Sequence, residues 1–210
     1  MCIRDRLRED KDWTCCAMLC STRDREFANI NVAEIHRKVK EFLGDVTLWC
    51  DKESTKTIFD EVKICASNGD AECMNVMGLF YTKGILVEKS NKEAFTWFRL
   101  AAEYGFPNAI RNLALLYARG HGTEKNRSLA IEIINSIKEC DASLYYLSLG
   151  EIEKIAGNHV AAYENFRIAA EHGNTRAKYL YGTYLVKGKY CDKNITLGIE
   201  NIRCAAKDCI

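Results

Sequence analysis

The amino-acid sequence predicts an all-α fold, an α-solenoid of antiparallel helix pairs. Two helical patterns alternate along most of the chain, and each returns after 32 or 36 residues. The 210 residues include a single proline, Pro107, although proline is the usual interrupter of helices. Repeats of this length with two helices each are typical of solenoids, in which every unit covers the apolar face of its neighbour.

The clearest of these patterns runs from residue 91 to residue 105. Small and aromatic side chains fall at i, i+3, i+4, i+7 and i+8, which is the apolar stripe of a helix, and Gly105 then ends that helix. The stripe consists of Ala94, Trp97, Phe98, Ala101 and Ala102. Its first position recurs at Ala130, Ala162 and Gly198. We therefore expect the second helix of each unit at these places.

Each of these helices follows another helix, whose marker is a small residue. The marker stands at Gly78, Ala114, Gly150 and Gly182. Glycine inside a helix costs about 1 kcal/mol relative to alanine, so its return predicts a helix crossing that admits only a minimal side chain. The first helices should end at glycines, which tolerate the left-handed conformation common there. These are Gly84, Gly120 and Gly188.

The same register divides the chain into three parts. Residues 1–25 are unassigned, and the first six, MCIRDR, resemble the translation of a sequencing adapter, so we expect the natural amino terminus to be missing. Residues 26–69 form a degenerate first helical repeat. Residues 70–210 hold four repeats, at about 70–105, 106–141, 142–173 and 174–210.

The first of these four repeats resembles a Sel1-like repeat. The residues that carry the resemblance are Gly78, Tyr81, Gly84, Ala94, Trp97, Phe98, Ala101, Ala102 and Gly105. The second and fourth repeats also resemble this family, whereas the third is similar to an ordinary tetratricopeptide repeat. The resemblance implies a right-handed superhelix whose concave surface binds peptides or protein domains.

One branch of this family consists of secreted, cysteine-rich proteins that pair a cysteine ending one repeat with a cysteine eight positions later. Cys65 and Cys73 resemble that pair. The resemblance therefore implies a disulfide as the alternative to two reduced, buried thiols. It also implies an alternative function, that of a secreted protein with hydrolase or peptidoglycan-related binding activity. The corresponding positions elsewhere hold alanine, at Ala101 and Ala109 and at Ala169 and Ala177.

Composition excludes some classes of partner. The chain has 30 lysines and arginines against 29 aspartates and glutamates, a net charge of +1, which produces no general field that attracts nucleic acid. No apolar run reaches the ~20 residues that cross a bilayer, so we expect no membrane span. Eleven cysteines leave the compartment open. The cytoplasm is slightly favoured, with a secretory compartment as the alternative.

Catalytic chemistry has no recognisable motif in this sequence. We find no HExxH, GxSxG or phosphate-binding loop, and the four histidines lie far apart, at His36, His121, His159 and His172. Cys15, Cys16 and Cys20 lack a second ligand pair at zinc-finger spacing. We therefore expect no enzyme, no cofactor, no metal site and no small-molecule substrate.

A binding face is predicted on the first helices of the units, which line the concave side of a solenoid. The candidate peptide-binding residues are Asn75, Leu79, Lys83, Arg111, Leu115, Arg119, Arg176, Tyr179 and Thr183. Arginine offers paired donors to carboxylates, and tyrosine and leucine offer apolar surface. For Lys83 and Arg119 the alternative is that they only complement a helix dipole. The sequence thus predicts a non-catalytic scaffold or adaptor for a protein or peptide partner.

Overall fold

The computed structural model describes residues 31–44 and 52–207. All regular secondary structure in these ranges is helical, which confirms the all-α prediction. The helices are α1 (Val32–Gly44), α2 (Lys52–Ser67), α3 (Ala71–Lys83), α4 (Asn91–Glu103), α5 (Pro107–Arg119), α6 (Arg127–Asn135), α7 (Ala142–Ile155), α8 (His159–Glu171), α9 (Thr175–Lys187) and α10 (Ile195–Lys207). The unassigned segment 1–25, with Cys15, Cys16 and Cys20, lies outside the described residues.

Helix boundaries follow the capping residues in the sequence. Asp70, Ser90 and Asn174 each accept a hydrogen bond from the backbone amide three residues later, which satisfies one unpaired N–H at the helix start. At the other end, Gly84 and Gly188 have φ of 71° and 61° and terminate α3 and α9 in the left-handed conformation, as predicted.

The chain forms two compact units, one up to Ala109 and one from Ile110 onwards. In the first unit α3 packs on α4 and on α2, around a core that includes Val62, Met77, Phe80 and Phe98. In the second unit α7 packs on α8, and α9 packs on α8 and α10. Its core includes Leu113, Ile134, Ile152, Phe166 and Leu185.

The small-residue markers lie at helix crossings, as the sequence predicts. A Cβ added to Gly78 would stand 2.5 Å from the ring of Phe98 on α4, and one added to Gly150 would stand 2.6 Å from the ring of Phe166 on α8. At Gly182 the nearest atom is instead the backbone carbonyl oxygen of Gly198, at 2.6 Å. At such distances the facing atom must shift to admit a methyl group, and at Gly182 that atom belongs to the backbone.

Candidate functional site

The predicted binding residues lie on the first helices of three pairs. Lys83, Arg119, Arg176 and Tyr179 are exposed, and Leu79, Arg111 and Thr183 are partly exposed. Asn75 and Leu115, however, are buried, with 7% and 5% of their surface accessible. These two positions differ from the expectation of an open stripe, because their side chains are buried in the helix packing. A partner would therefore meet a narrower surface than the sequence predicts.

Two of the predicted arginines meet at one carboxylate in the second unit. Arg111 Nη2 on α5 lies 2.5 Å from Glu151 Oε2 on α7, and Arg176 Nη2 on α9 lies 2.9 Å from Glu151 Oε1. We call Arg111, Glu151 and Arg176 the Arg–Glu–Arg cluster. It brings together residues that are 25 and 40 positions apart in the sequence.

The cluster carries a surplus positive charge, because one carboxylate faces two guanidinium groups. Exposure separates the two arginines: the side chain of Arg111 is 14% accessible and that of Arg176 is 64% accessible. Glu151 between them is 9% accessible. Arg111 Nε is buried without a hydrogen-bond partner among the described residues. Arg111 thus belongs to the interior of the cluster, and Arg176 presents the unneutralised charge to solvent.

An exposed aromatic ring stands beside this charge. Tyr179 lies three residues after Arg176 on α9, a spacing that places both side chains on one helix face, and it is 52% accessible. Thr183, one turn further, uses its hydroxyl to donate to the Leu180 carbonyl at 2.6 Å. Arg176 and Tyr179 are therefore the predicted residues that this face offers most openly.

A second group of ionisable side chains lies in the first unit, around the implied cysteine pair. Cys65 at the end of α2 and Cys73 in α3 are both buried free thiols. Burial raises the pKa of Cys65 and that of Cys73 above the ordinary thiol value. The disulfide between them stays a prediction.

His36 and Asp70 complete this group. His36 Nε2 lies 3.0 Å from Asp70 Oδ1, and His36 Nδ1 lies 3.2 Å from Glu72 Oε2. Burial tends to raise the pKa of Asp70, but the Cys73 amide and His36 outweigh it and lower that pKa below its ordinary value. Sequence reasoning missed this group, because His36 stands 29 positions before Cys65 and no short motif links them. How α1 packs against α2 and α3 would have to be known before the group could be recognised.

An open depression of about 540 Å³ also lies in the first unit, at the turn between α3 and α4. It is lined by Tyr81, Val87, Glu88, Lys89, Ser90 and Glu93. None of the predicted binding residues lines it.

Comparison with known proteins decides the family. The model of the Sel1 repeat matches residues 71–106, 107–133, 142–174 and 175–208, which together exceed half of the chain. The chain belongs to the Sel1 repeat family. This confirms the resemblance identified in the first, second and fourth repeats, and it adds the third repeat, whose sequence is similar to a tetratricopeptide repeat.

Among curated proteins, the Sel1 repeat chain is similar to sel1-like repeat-containing protein L21 of Acanthamoeba polyphaga mimivirus. The two are 30% identical over 139 residues, which cover 64% of this chain and 25% of the viral protein. The chain thus spans about a quarter of the length of that relative.

Two crystal structures share the fold. One is a Sel1 repeat protein from Oxalobacter formigenes, with a TM-score of 0.52 and 23% identity, covering 83% of this chain and 68% of the other. The second is c5321, a protective antigen present in uropathogenic Escherichia coli strains, with a TM-score of 0.52 and 21% identity, covering 86% of this chain and 41% of the other. At these identities the likeness shows the α-solenoid fold alone.

Sel1 repeats are in general protein-interaction scaffolds and typically non-catalytic. Among the described helices, none combines the length and the apolar character that a membrane crossing requires.

Proposed function

We propose that this Sel1 repeat protein is a non-catalytic adaptor that binds an acidic peptide segment of a protein partner on the first helices of its second unit. The observation that carries the proposal is the Arg–Glu–Arg cluster beside the exposed Tyr179. Within one turn of α9, Arg176 supplies charge and hydrogen-bond donors, and Tyr179 supplies apolar surface.

The charge of the cluster favours a carboxylate as the first contact. Glu151 neutralises one guanidinium, and the second positive charge extends into solvent on Arg176. Arginine binds carboxylates through two parallel hydrogen bonds, which gives orientation as well as attraction. A glutamate or aspartate of the partner would therefore add to the cluster and restore its charge balance.

Glu151 also prepares Arg176 for binding. A long, exposed side chain loses rotamer freedom when a ligand fixes it, at a cost of about 0.5 to 1.5 kcal/mol. The hydrogen bond of 2.9 Å to Glu151 already restricts the Arg176 guanidinium. Less freedom is therefore lost when the partner binds.

Tyr179 supplies the apolar part of the proposed contact. Tyrosine and arginine are the residues most often found at the energetic centre of interfaces, because they bury a large area and still form hydrogen bonds. An exposed tyrosine three residues from Arg176 gives an apolar side chain of the partner a place next to its acidic residue. The expected ligand is a segment in which glutamate or aspartate alternates with leucine or an aromatic residue.

A peptide array tests this proposal. The purified 210-residue chain is applied to immobilised peptides of about 15 residues that pair glutamates with a leucine or phenylalanine anchor, and to the same peptides with glutamine in place of glutamate. We expect capture by the glutamate peptides only. The double variant Arg176→Ala with Tyr179→Ala should bind at least about tenfold more weakly, since each change removes one anchor of the interface.

A matched double variant controls for the loss of any exposed arginine and tyrosine. Tyr104 is 60% accessible and ends α4, and Arg203 is exposed on α10, the second helix of its pair. Tyr104→Ala with Arg203→Ala should keep full capture. Equal capture of glutamate and glutamine peptides, or full capture by the Arg176 and Tyr179 variant, would overturn the proposal.

A further inference from the structure

Four side chains with metal-binding atoms converge where the first three helices meet. His36 comes from α1, Cys65 from α2, Asp70 from the residue that caps α3, and Cys73 from the first turn of α3. We call them the Cys–His–Asp group. Their ligand atoms, two sulfurs, one imidazole nitrogen and one carboxylate oxygen, all lie within 4.8 Å of one another. Both cysteines are almost fully buried, while His36 and Asp70 are partly exposed.

These donors and their number match a structural zinc site. Zinc takes four ligands in a tetrahedron, with bonds of about 2.3 Å to sulfur and about 2.0 to 2.2 Å to nitrogen and oxygen. Those bond lengths separate neighbouring ligand atoms by roughly 3.3 to 3.8 Å. His36 Nε2 and Asp70 Oδ1 are already 3.0 Å apart. Side-chain movements of about 1 Å would therefore bring the group to tetrahedral spacing.

The surroundings of His36 also match those of a metal-binding histidine. Such a histidine generally donates the N–H of its other ring nitrogen to a carboxylate, which fixes the tautomer and the ring plane. His36 Nδ1 lies 3.2 Å from Glu72 Oε2, while Nε2 lies 3.0 Å from Asp70 Oδ1. Glu72 thus holds the ring with Nε2 directed at another member of the group.

The helix packing alone does not require the two cysteines, because no other repeat places cysteine at the same positions. Ala101 and Ala109 correspond to Cys65 and Cys73 in the next repeat, and Ala169 and Ala177 correspond to them in the last one. All four alanines are fully buried. The junction between the second and third repeats instead holds Ile137 and Tyr145, which are also buried. No cysteine recurs at these positions in any of the junctions, so the fold does not require sulfur there.

We propose that His36, Cys65, Asp70 and Cys73 bind one structural Zn²⁺ ion that fastens α1 to α2 and α3. Each thiol releases its proton to solvent, so that two thiolates, the neutral imidazole Nε2 and the Asp70 carboxylate donate lone pairs to the metal. Four protein ligands leave no open coordination position, which makes the site structural and not catalytic. The proposal replaces the expectation of no metal site, which considered only the cysteines near the amino terminus.

Cobalt substitution tests the proposal. The full chain is reduced, stripped of metal with a chelator and titrated with Co²⁺, whose visible absorption reports tetrahedral coordination, and then with Zn²⁺ as competitor. We expect one Co²⁺ per chain to be bound at this group and to be displaced by Zn²⁺. The variant Cys65→Ala with Cys73→Ala should no longer bind this Co²⁺ ion. Glu72→Gln should weaken Co²⁺ binding by about 10- to 100-fold.

Control variants separate the proposed site from the other cysteines and from folding defects. Cys140 and Cys204 are exposed thiols outside the group, and Cys140→Ala with Cys204→Ala should leave the metal content unchanged. The double alanine variant at 65 and 73 should fold, since Ala101 and Ala109 occupy the same places in the next repeat. Asp70→Asn is a second variant, because asparagine keeps the helix cap and removes the anionic ligand.

The result that would overturn the proposal is equal metal content in the wild type and in the variants at 65 and 73, at 70 and at 36. A Cys65–Cys73 disulfide that forms in air even with Zn²⁺ present, seen by non-reducing peptide mapping, would also overturn it. A disulfide needs only the two sulfurs, so His36→Ala distinguishes the two chemistries. Under the proposal this variant lowers Zn²⁺ affinity at least about 100-fold, whereas the formation of a disulfide would not change when His36 is replaced.

Discussion

The two compact units of this protein build the same kind of helix pair but place their buried ionisable groups differently. In the first unit the Cys–His–Asp group lies at the junction between consecutive pairs. In the second unit the corresponding junction holds Ala169, Asn174 and Ala177, and the ionisable groups lie on first helices, in the Arg–Glu–Arg cluster. The junction accepts different side chains, since the one between the second and third repeats holds the buried Ile137 and Tyr145. Ionisable side chains can therefore occupy the junction between helix pairs or the surface of the first helices without a change of fold.

The largest effect is expected at Arg111 in the second unit. Arg111→Glu replaces the partner of Glu151, whose side chain is 9% accessible, with a second carboxylate. An uncompensated charge at such a position lowers the free energy of unfolding by about 3 kcal/mol. Urea denaturation of the purified variant measures this loss.

Arg176→Glu is the matched control, since Arg176 contacts the same carboxylate but is 64% accessible. Exposed ion pairs contribute about 0 to 1 kcal/mol, so this variant should stay close to the wild type. Equal losses for the two variants would show that the cluster does not divide into a buried and an exposed arginine.

The helix crossings test whether the two units share one scaffold. Gly182→Ala should lower the free energy of unfolding by about 2 to 3 kcal/mol, because the new methyl group meets the Gly198 carbonyl oxygen of the backbone. Gly78→Ala should cost less, since the ring of Phe98 can shift. Melting curves of both variants show which of the two substitutions costs more stability. An increase in stability for either, as helix propensity alone would give, would contradict the crossing geometry.

A small effect for each residue is expected at the two cysteines when no metal is bound. Cys65→Ala with Cys73→Ala removes two buried sulfur atoms, and we expect a loss of about 1 kcal/mol for each, similar to a buried methylene. The pH dependence has a defined sign. Burial holds the pKa of both thiols above its ordinary value in the folded state, so their contribution to stability is present below that value, about pH 8.5, and is lost as pH rises above it.

Melting temperatures of the metal-free proteins at several pH values check this sign. The wild type should lose more stability than the double alanine variant between roughly pH 8 and roughly pH 10, the range above the ordinary thiol pKa. Parallel curves for the two proteins would show that the thiols are not desolvated as the structure places them.

The fold was predictable because its signals are local and repeated. Gly84 closes a helix with a positive φ that glycine adopts most readily, and Gly78 lies at a crossing where an added Cβ would meet the ring of Phe98. The exposure of Arg176 and Tyr179 was predictable in the same way, since it follows from helix periodicity.

The contacts between helices were not predictable from these signals. Arg111 and Arg176 were expected on the same face, but their common partner Glu151 depends on how three helices pack. The burial of Asn75 and Leu115 has the same origin, because neighbouring helices cover part of the stripe. His36 approaches Asp70 from 34 positions earlier, and periodicity contains no information about that distance.

A double-mutant cycle between Arg176 and a glutamate of a captured peptide tests directly whether the exposed guanidinium binds a carboxylate of the partner. Binding is measured by calorimetry for wild-type protein and Arg176→Ala, each with the glutamate peptide and its glutamine analogue. We expect a coupling free energy of about 1 kcal/mol or more, because a carboxylate pairs with the exposed guanidinium. Additive effects within about 0.3 kcal/mol, the behaviour of residues that do not touch, would contradict a binding site at this arginine.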